Sequence, residues 1–349
     1  ERTGAGFDAP QIGTFVHDVM ENTLRAAKER GGLHALSEEA LHELVRASIE
    51  AYIDRVLPDL NEKSARFQYL FRRLCAAVDR IMDEVSEELK SSDFEPLAFE
   101  LAFGADGQLP AITIREKNGT ARVVGKVDRV DGWLHNGKLY LRVVDYKTGK
   151  KSFDLAELRY GLGLQMLLYL FTLKEEGRAL FGGQEIVPAG VLYAREPMLR
   201  CTRDTAPEKI EKARKKELRR SGMVLEDPAV LQAMEHSALT SPCYLPIAVK
   251  KDGAVTGSLA SAEQLGKLSK YVDRLLHEIT QEVFAGNIDA DPYARTPQMS
   301  ACTYCEFASA CHFENGCGSD RMEYIKATKN DEFWQHIDEV NGKEARSDG

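Results

Sequence analysis

No stretch of the 349-residue chain approaches the roughly 18 consecutive apolar residues of a membrane span, and no charged-then-apolar leader opens it. A membrane-spanning chain is therefore not expected. Positive charge is in deficit, since 46 Lys and Arg against 55 Asp and Glu leave a net charge of −9. That argues against a uniformly basic coat for nucleic acid while leaving room for a local basic stripe. No Gly-x-x-x-x-Gly-Lys-Ser/Thr loop occurs, so ATP hydrolysis is not expected here. Internal repeats and low-complexity tracts are missing as well. Cysteine is sparse at seven residues, yet Cys302, Cys305, Cys311 and Cys317 fall close together. Clustering of that kind favours metal binding over a disulfide framework, and a cytoplasmic setting over a secreted one. Glu1 stands where an initiator Met would, so an excerpt of a longer protein is expected.

What is present reads as one large α/β unit. Ile12, Phe15, Val16, Val19, Met20 and Leu24 recur at helical spacing and predict a helix from about Ala9 to Arg30, stopped by Gly31-Gly32. Further helices are expected from about Ser37 to Val56 and Glu62 to Lys90. Strands follow at Pro96 to Phe103, Ala111 to Arg115, Arg122 to Val130 and Lys138 to Tyr146, separated by Gly-containing turns. An apolar helix from Leu155 to Leu173 leads back to a strand at Ile186 to Tyr193, a strand, helix and strand unit that favours an α/β sheet. Beyond Arg195 come a charged helical insertion to about His236, a strand near Tyr244 to Val249, and a helix from Ser261 to Ala285. The tail from Asn315 is polar apart from a short helix around Phe333 to Val340. The expected division is an N-terminal helical part (1–95), a catalytic core (96–195), the insertion and a core helix (196–290), the cysteine cluster (291–317) and the tail (318–349).

Asp145-Tyr146-Lys147 closes the apolar run that starts at Leu139 and lies seventeen residues after Asp128. Residues i and i+2 of a strand share a face, so Asp145 and Lys147 should point together. By composition alone an Asp-x-Lys tripeptide is expected about once in such a chain. Glu88-Leu89-Lys90 has the same chemical types but sits in a predicted helix. Context separates the two, because strand ends in α/β sheets are where ligands gather. Carboxylates there suit Mg²⁺ or Mn²⁺, which activate water and neutralise a phosphodiester, while an ammonium orients the water. Asp128 and Asp145 fit the ligand role, Lys147 the orienting role, and the Tyr146 carbonyl an added ligand. Asp131 lies at an odd offset from Asp128 and should face away. The competing reading is that Asp128 and Asp145 are structural acids paired with Arg129 or Lys126. His17, four residues before Glu21 on the first helix, offers a nitrogen ligand or is a surface histidine. Gln165 and Tyr169 share one face of an apolar helix and need partners if buried.

In order along the chain, Gly13-Thr14-Phe15-Val16-His17, Gly125-Lys126-Val127-Asp128-Arg129, Asp145-Tyr146-Lys147-Thr148 and Gln165-Met166-Leu167-Leu168-Tyr169 resemble the motifs of the RecB-like PD-(D/E)xK nucleases, most of all the AddB-like nuclease domains. The likeness runs from about Phe7 to Phe313. It implies a restriction-endonuclease-like mixed sheet flanked by helices, and catalytic roles for His17, Asp128, Asp145 and Lys147, with Gln165 and Tyr169 assisting. It also implies action on DNA ends in double-strand break repair, with an AddA-like helicase partner that supplies the motor.

Cys302, Cys305 and Cys311 form a Cys-x₂-Cys-x₅-Cys pattern. The resemblance implies three ligands of a [4Fe-4S] cluster, whose fourth cysteine would lie before Glu1. Zinc on these three with Cys317 or His312 is the rival reading, and plain thiols the blandest. Between Glu208 and Arg220 seven basic residues face three acids, a run that either tracks phosphates or forms a solvated helix face. A catalytically idle DNA-end-binding module and a stand-alone exonuclease are the alternatives to a helicase-fed nuclease.

Overall fold

The computed structural model describes residues 9–147, 153–195, 207–296 and 298–347. Contacts divide the chain into two groups of segments. The first comprises Glu1–Pro110, Val124–Ser152 and Tyr169–Ala262, and the second Ala111–Val123, Phe153–Leu168 and Glu263–Gly349.

Elements are numbered along the chain. In the first group, α1 (Ala9–Glu29), α2 (Glu38–Val56) and α3 (Ala65–Lys90) pack on one another. Gly31 and Gly32, at φ 95° and 88°, follow α1 in the backbone region that glycine tolerates best. Ser37 caps α2 by accepting from the Ala40 N–H, and Glu38 and Glu39 in its first turn oppose the helix dipole. Ser64 caps α3, which begins three residues later than predicted because Leu60–Glu62 forms a separate 3₁₀ turn. Phe15 is fully buried, with the rings of Tyr52 and Phe71 edge-on at 4.9 and 5.2 Å. Phe99, from the adjoining strand, belongs to the same core.

That strand opens a six-stranded mixed sheet in the order β1 (Glu95–Phe103), β4 (Gly125–His135), β5 (Lys138–Lys147), β6 (Glu185–Arg195), β7 (Ser221–Leu225) and β10 (Leu259–Ala260). β4 is antiparallel to β1 and β5, while β5 and β6 run parallel. A parallel pair needs a crossover, as the strand, helix and strand reading required. The mixed sheet with flanking helices is the architecture expected from the sequence.

Three expectations are corrected. The insertion is not all helix, because α6 (Pro207–Leu218) and α7 (Pro228–Met234) bracket β7, whose last four residues are buried against the sheet. Arg220, counted with the exposed basic run, is 5% exposed. The strand expected from Tyr244 shortens to β8 (Ile247–Val249), paired with β9 (Val255–Gly257).

In the second group, the predicted strand starting at Arg122 proves to be the end of a hairpin, β2 (Ile112–Glu116) with β3 (Gly119–Val123). The chain changes pairing partner after Val123, so one predicted strand becomes two. The predicted helix from Leu155 to Leu173 is also two, α4 (Leu155–Arg159) and α5 (Gln165–Glu176), the latter counted with the first group from Tyr169 on. Gly161 and Gly163 sit at φ 74° and 69°, and the Leu162 N–H bonds back to the Glu157 carbonyl at 2.9 Å, closing α4. The remaining elements are α8 (Ala262–Ala285), a small sheet of β11 (Tyr293–Thr296), β12 (Met299–Ser300) and β13 (Glu323–Tyr324), the short α9 (Ala308–Cys311), and α10 (Asn330–Ser347). α10 is longer than the predicted Phe333 to Val340. Among the described residues, no helix is long and apolar enough to cross a membrane.

Candidate active site

Three neighbouring strands bring three acids into a row. Phe99 pairs with Arg129 and Leu101 with Val127, which sets Glu100 opposite Asp128. Arg129 pairs with Val144, so one step further along the ladder Asp128 faces Asp145. Asp145 is 6% exposed, and Lys147, two residues on, shares its face as the pleat dictates. The Lys147 ammonium lies 3.0 Å from Asp145 Oδ1 and 2.7 Å from Oδ2.

Helix α1 brings in the fourth group. Phe15, Val16, Val19 and Met20 are buried, which fixes the helix and sets His17 at the row. His17 Nδ1 is 3.4 Å from Asp128 Oδ1 and 3.5 Å from Glu100 Oε1, and Nε2 is 3.3 Å from the Tyr146 carbonyl oxygen. The Tyr146 N–H donates to Asp128 Oδ2 at 2.7 Å. His17, Glu100 and Asp128 each offer an atom within 4.8 Å of the others, the one such group of metal-ligand side chains among the described residues.

Burial pushes the Asp128 carboxyl up to about 6, a rise that His17 opposes and Asp145 reinforces. His17 is raised by its hydrogen bond to Glu100, against the effect of burial. Burial alone would raise Glu100, but hydrogen bonds from His17 and Lys126 outweigh it and hold the carboxyl below its usual range. Lys126 is raised by the same carboxylate. A half-buried imidazole with carboxylates and a carbonyl oxygen is a donor set for a hard or borderline divalent cation.

Sequence reasoning missed Glu100. Its signal was a single acid inside the apolar strand Pro96 to Phe103. The backbone there is at φ 47°, a sparsely populated region for a residue with a Cβ, and such outliers cluster at functional sites.

Tyr169 supports the strand that carries Asp128. Its hydroxyl accepts from the Lys126 N–H at 3.2 Å, and its ring stacks on Phe103 at 5.1 Å. A Cβ at Gly125 would stand 2.0 Å from that hydroxyl, so any side chain there displaces the tyrosine. Gln165 is exposed at the start of α5, in the second group of segments. Thr148 lies outside the described residues.

Asp131 faces away from Asp128, as its odd offset required. It anchors a buried ion cluster, with Arg129 Nε 2.7 Å from Asp131 Oδ1 and Arg142 Nε 2.8 Å from Oδ2. Glu88 joins through Arg220 at 2.7 Å, and the three arginines together hold its carboxyl down to about 2 against the effect of burial. Arg129 also meets the Tyr146 hydroxyl, tying this cluster to the residue whose backbone touches both His17 and Asp128. Lys126 and Arg129, the suggested partners of the two site acids, are instead engaged with Glu100 and Asp131.

In the second group, Cys302 lies in the 3₁₀ turn Ala301–Tyr304, Cys305 ends that turn, and Cys311 ends α9. Cys302 is half-buried, and Cys305, Cys311 and Cys317 are exposed. The Cys305 N–H bonds the Cys302 carbonyl and the Ala308 N–H the Cys305 carbonyl, both at 3.3 Å, and the Cys311 N–H bonds the Phe307 carbonyl at 2.8 Å, so consecutive turns link Cys302, Cys305 and Cys311. Cys201 lies outside the described residues.

A strand-end row of acids with Asp145 and Lys147 on one face is the arrangement of a known nuclease class, and residues 2–312 match the family model of the PD-(D/E)XK nuclease superfamily. The chain belongs to that superfamily. It is similar to AddB of the ATP-dependent helicase/deoxyribonuclease from Thermoanaerobacter pseudethanolicus, 32% identical over 355 aligned positions that take in 100% of this chain and 30% of the relative. The AddB of Acetivibrio thermocellus is 34% identical over 331 positions, covering 93% of this chain and 29% of the relative. That of Ruminiclostridium cellulolyticum is 31% identical over 341 positions, covering 96% and 29%. The chain thus spans under a third of the length of these curated relatives.

Proposed function

We propose that this chain is the nuclease domain of an AddB-like protein and hydrolyses DNA phosphodiesters with Mg²⁺ or Mn²⁺. The observation that carries the reading is the convergence of His17, Glu100 and Asp128 within 4.8 Å, beside Asp145 paired with Lys147. His17, Asp128, Asp145 and the Tyr146 carbonyl would hold the ion, with Glu100 as a further ligand or as the group that orients His17. When bound, the cation supplies a water activated as nucleophile and neutralises charge growing on the phosphate.

The protein's own groups do the rest. Lys147, held by Asp145 and 29% exposed, keeps an ammonium face toward the substrate side to orient the attacking water. Burial raises the Asp128 carboxyl, which must lose its proton before it can act as a ligand, so the cation competes with that proton and metal binding should strengthen as pH rises. Tyr169 secures the start of β4, and Gln165 is proposed to assist on the substrate side.

The substrate is read as single-stranded DNA, namely the 5′-ended strand of an unwound duplex end. An AddA-like helicase partner would deliver it in the cytoplasm during recombinational repair of double-strand breaks. The relatives' name, helicase/deoxyribonuclease, and the lack of an ATP-binding loop in this chain support a motor supplied by other segments. Cys302 and Cys305 at the 3₁₀ turn and Cys311 at the end of α9 are proposed ligands of a [4Fe-4S] cluster, which commonly takes four cysteines.

The test is labelled single-stranded DNA incubated with the purified chain and Mn²⁺. Wild type should shorten the DNA, EDTA should stop it, and Asp145→Ala should lose on the order of a thousandfold while keeping its fold. DNA shifted but not shortened by wild type would instead identify an idle binding module.

A further inference from the structure

A cavity of about 240 Å³ opens beside the acid row, formed by α1, α3 and the ends of β5 and β6. Its walls are mostly hydrocarbon, from Ile12, Val16, Met20, Leu74 and Ile81, with Glu84 among them, and His17 and Lys147 stand on its lining. We propose that this cavity is a nucleobase subsite, taking the base of the nucleotide that adjoins the phosphodiester being cut. The proposal rests on the nuclease reading above and adds how the strand is gripped.

Three observations lead there. The first is continuity, because His17 and Lys147 belong both to the cavity and to the proposed catalytic set. A base and its phosphate are joined by one sugar, so a phosphate held at Lys147 brings its base to this opening. The second is size. An apolar cavity of about 150 Å³ accepts benzene, whereas pockets for drug-sized ligands run from roughly 300 to 1,000 Å³. A volume of about 240 Å³ therefore suits one heterocyclic ring system rather than a whole dinucleotide.

The third is chemistry. Ile12, Leu74 and Ile81 are only partly buried, so their hydrocarbon stays in reach of solvent until a flat apolar face covers it. Arg220, at another part of the lining, is engaged with Glu88 at 2.7 Å. Apolar side chains outnumber the polar ones on the lining, the Glu84 carboxylate included, so a ring is gripped chiefly by its faces. Only an unpaired base can enter, since a base in a duplex is stacked and paired. The cavity accordingly selects single strands by shape and leaves sequence open, as an end-degrading nuclease requires.

The experiment is an abasic walk on the 349-residue chain. Single-stranded oligonucleotides each carry one tetrahydrofuran residue in place of a nucleotide, and cleavage at every bond is read with Mn²⁺. Removing the base beside a given bond should slow cutting at that bond by about tenfold, the scale of losing one base contact. Ala77, which also lines the cavity, supplies the second arm: in Ala77→Phe, intact and abasic bonds should be cut at the same reduced rate. Equal cutting of intact and abasic bonds by wild type would overturn the subsite. Hydrolysis of bis(p-nitrophenyl) phosphate by wild type reads the metal chemistry separately, so a failed nuclease and a failed base subsite give different results.

Discussion

Replacing Asp128 with Asn should stabilise the metal-free protein at alkaline pH while it removes activity. Burial lifts the Asp128 carboxyl from 3.8 to about 6, so the folded state holds its proton more tightly than the unfolded chain does. The sign follows from that: the folded protein is favoured below the unfolded value, and this advantage is lost as pH rises through 6. A gap of about 2 pH units at roughly 1.4 kcal/mol each comes to about 3 kcal/mol at pH 8. With the charges of His17 and Asp145 acting on the same carboxyl, the expected effect is about 1 to 3 kcal/mol. Asn keeps an oxygen to accept from the Tyr146 N–H but carries no charge to desolvate. His17 moves in the same direction, since its raised value gives stability below the ordinary imidazole range that is lost above it. Thermal unfolding in EDTA should then show the Asn variant melting roughly 1–4 °C above wild type at pH 8. About half of that free-energy difference should remain at pH 5. Millimolar Mn²⁺ should reverse the order, because only wild type gains the binding free energy. An Asn variant that is less stable at pH 8, or a difference independent of pH, would refute the claim that Asp128 is a desolvated acid awaiting a cation.

Three further outcomes probe the surrounding structure. Glu100→Gln should lower the His17 pKa, followed by NMR, and weaken Mn²⁺ binding by about tenfold or more, whereas unchanged affinity would remove Glu100 from the site. Asp131→Ala leaves the buried guanidinium groups of Arg129 and Arg142 without their shared carboxylate and should cost about 3–5 kcal/mol in urea unfolding. Gly125→Ala drives a methyl into the Tyr169 hydroxyl and should cost about 1–3 kcal/mol, with part of the loss recovered in a Tyr169→Phe background.

Much of the site was legible because period-two alternation fixes which residues of a strand share a face. Asp145 with Lys147, and Asp131 away from Asp128, followed from parity alone. His17 was legible through the resemblance, since on the amphipathic α1 its spacing from Glu21 fits a surface histidine equally well. Glu100 was not, since its place opposite Asp128 depends on the register of β1 against β4, which local pattern does not encode. Arg220 was misread for a related reason: it stands beside an exposed basic helix, and only the pairing of β7 to β6 carries it inward to Glu88. The division of α4 from α5 could have been read from Gly161 and Gly163, had their left-handed geometry been weighed above the apolar run around them.

The central claim is that His17, Asp128 and Asp145 form a divalent-cation site. Crystals grown with Mn²⁺ and measured at a wavelength where manganese scatters anomalously test it most directly. The expected result is one strong peak within about 2.3 Å of Asp128 and Asp145 oxygens and of a His17 nitrogen. A map with no peak among these groups, from crystals that bind manganese elsewhere, would contradict the account.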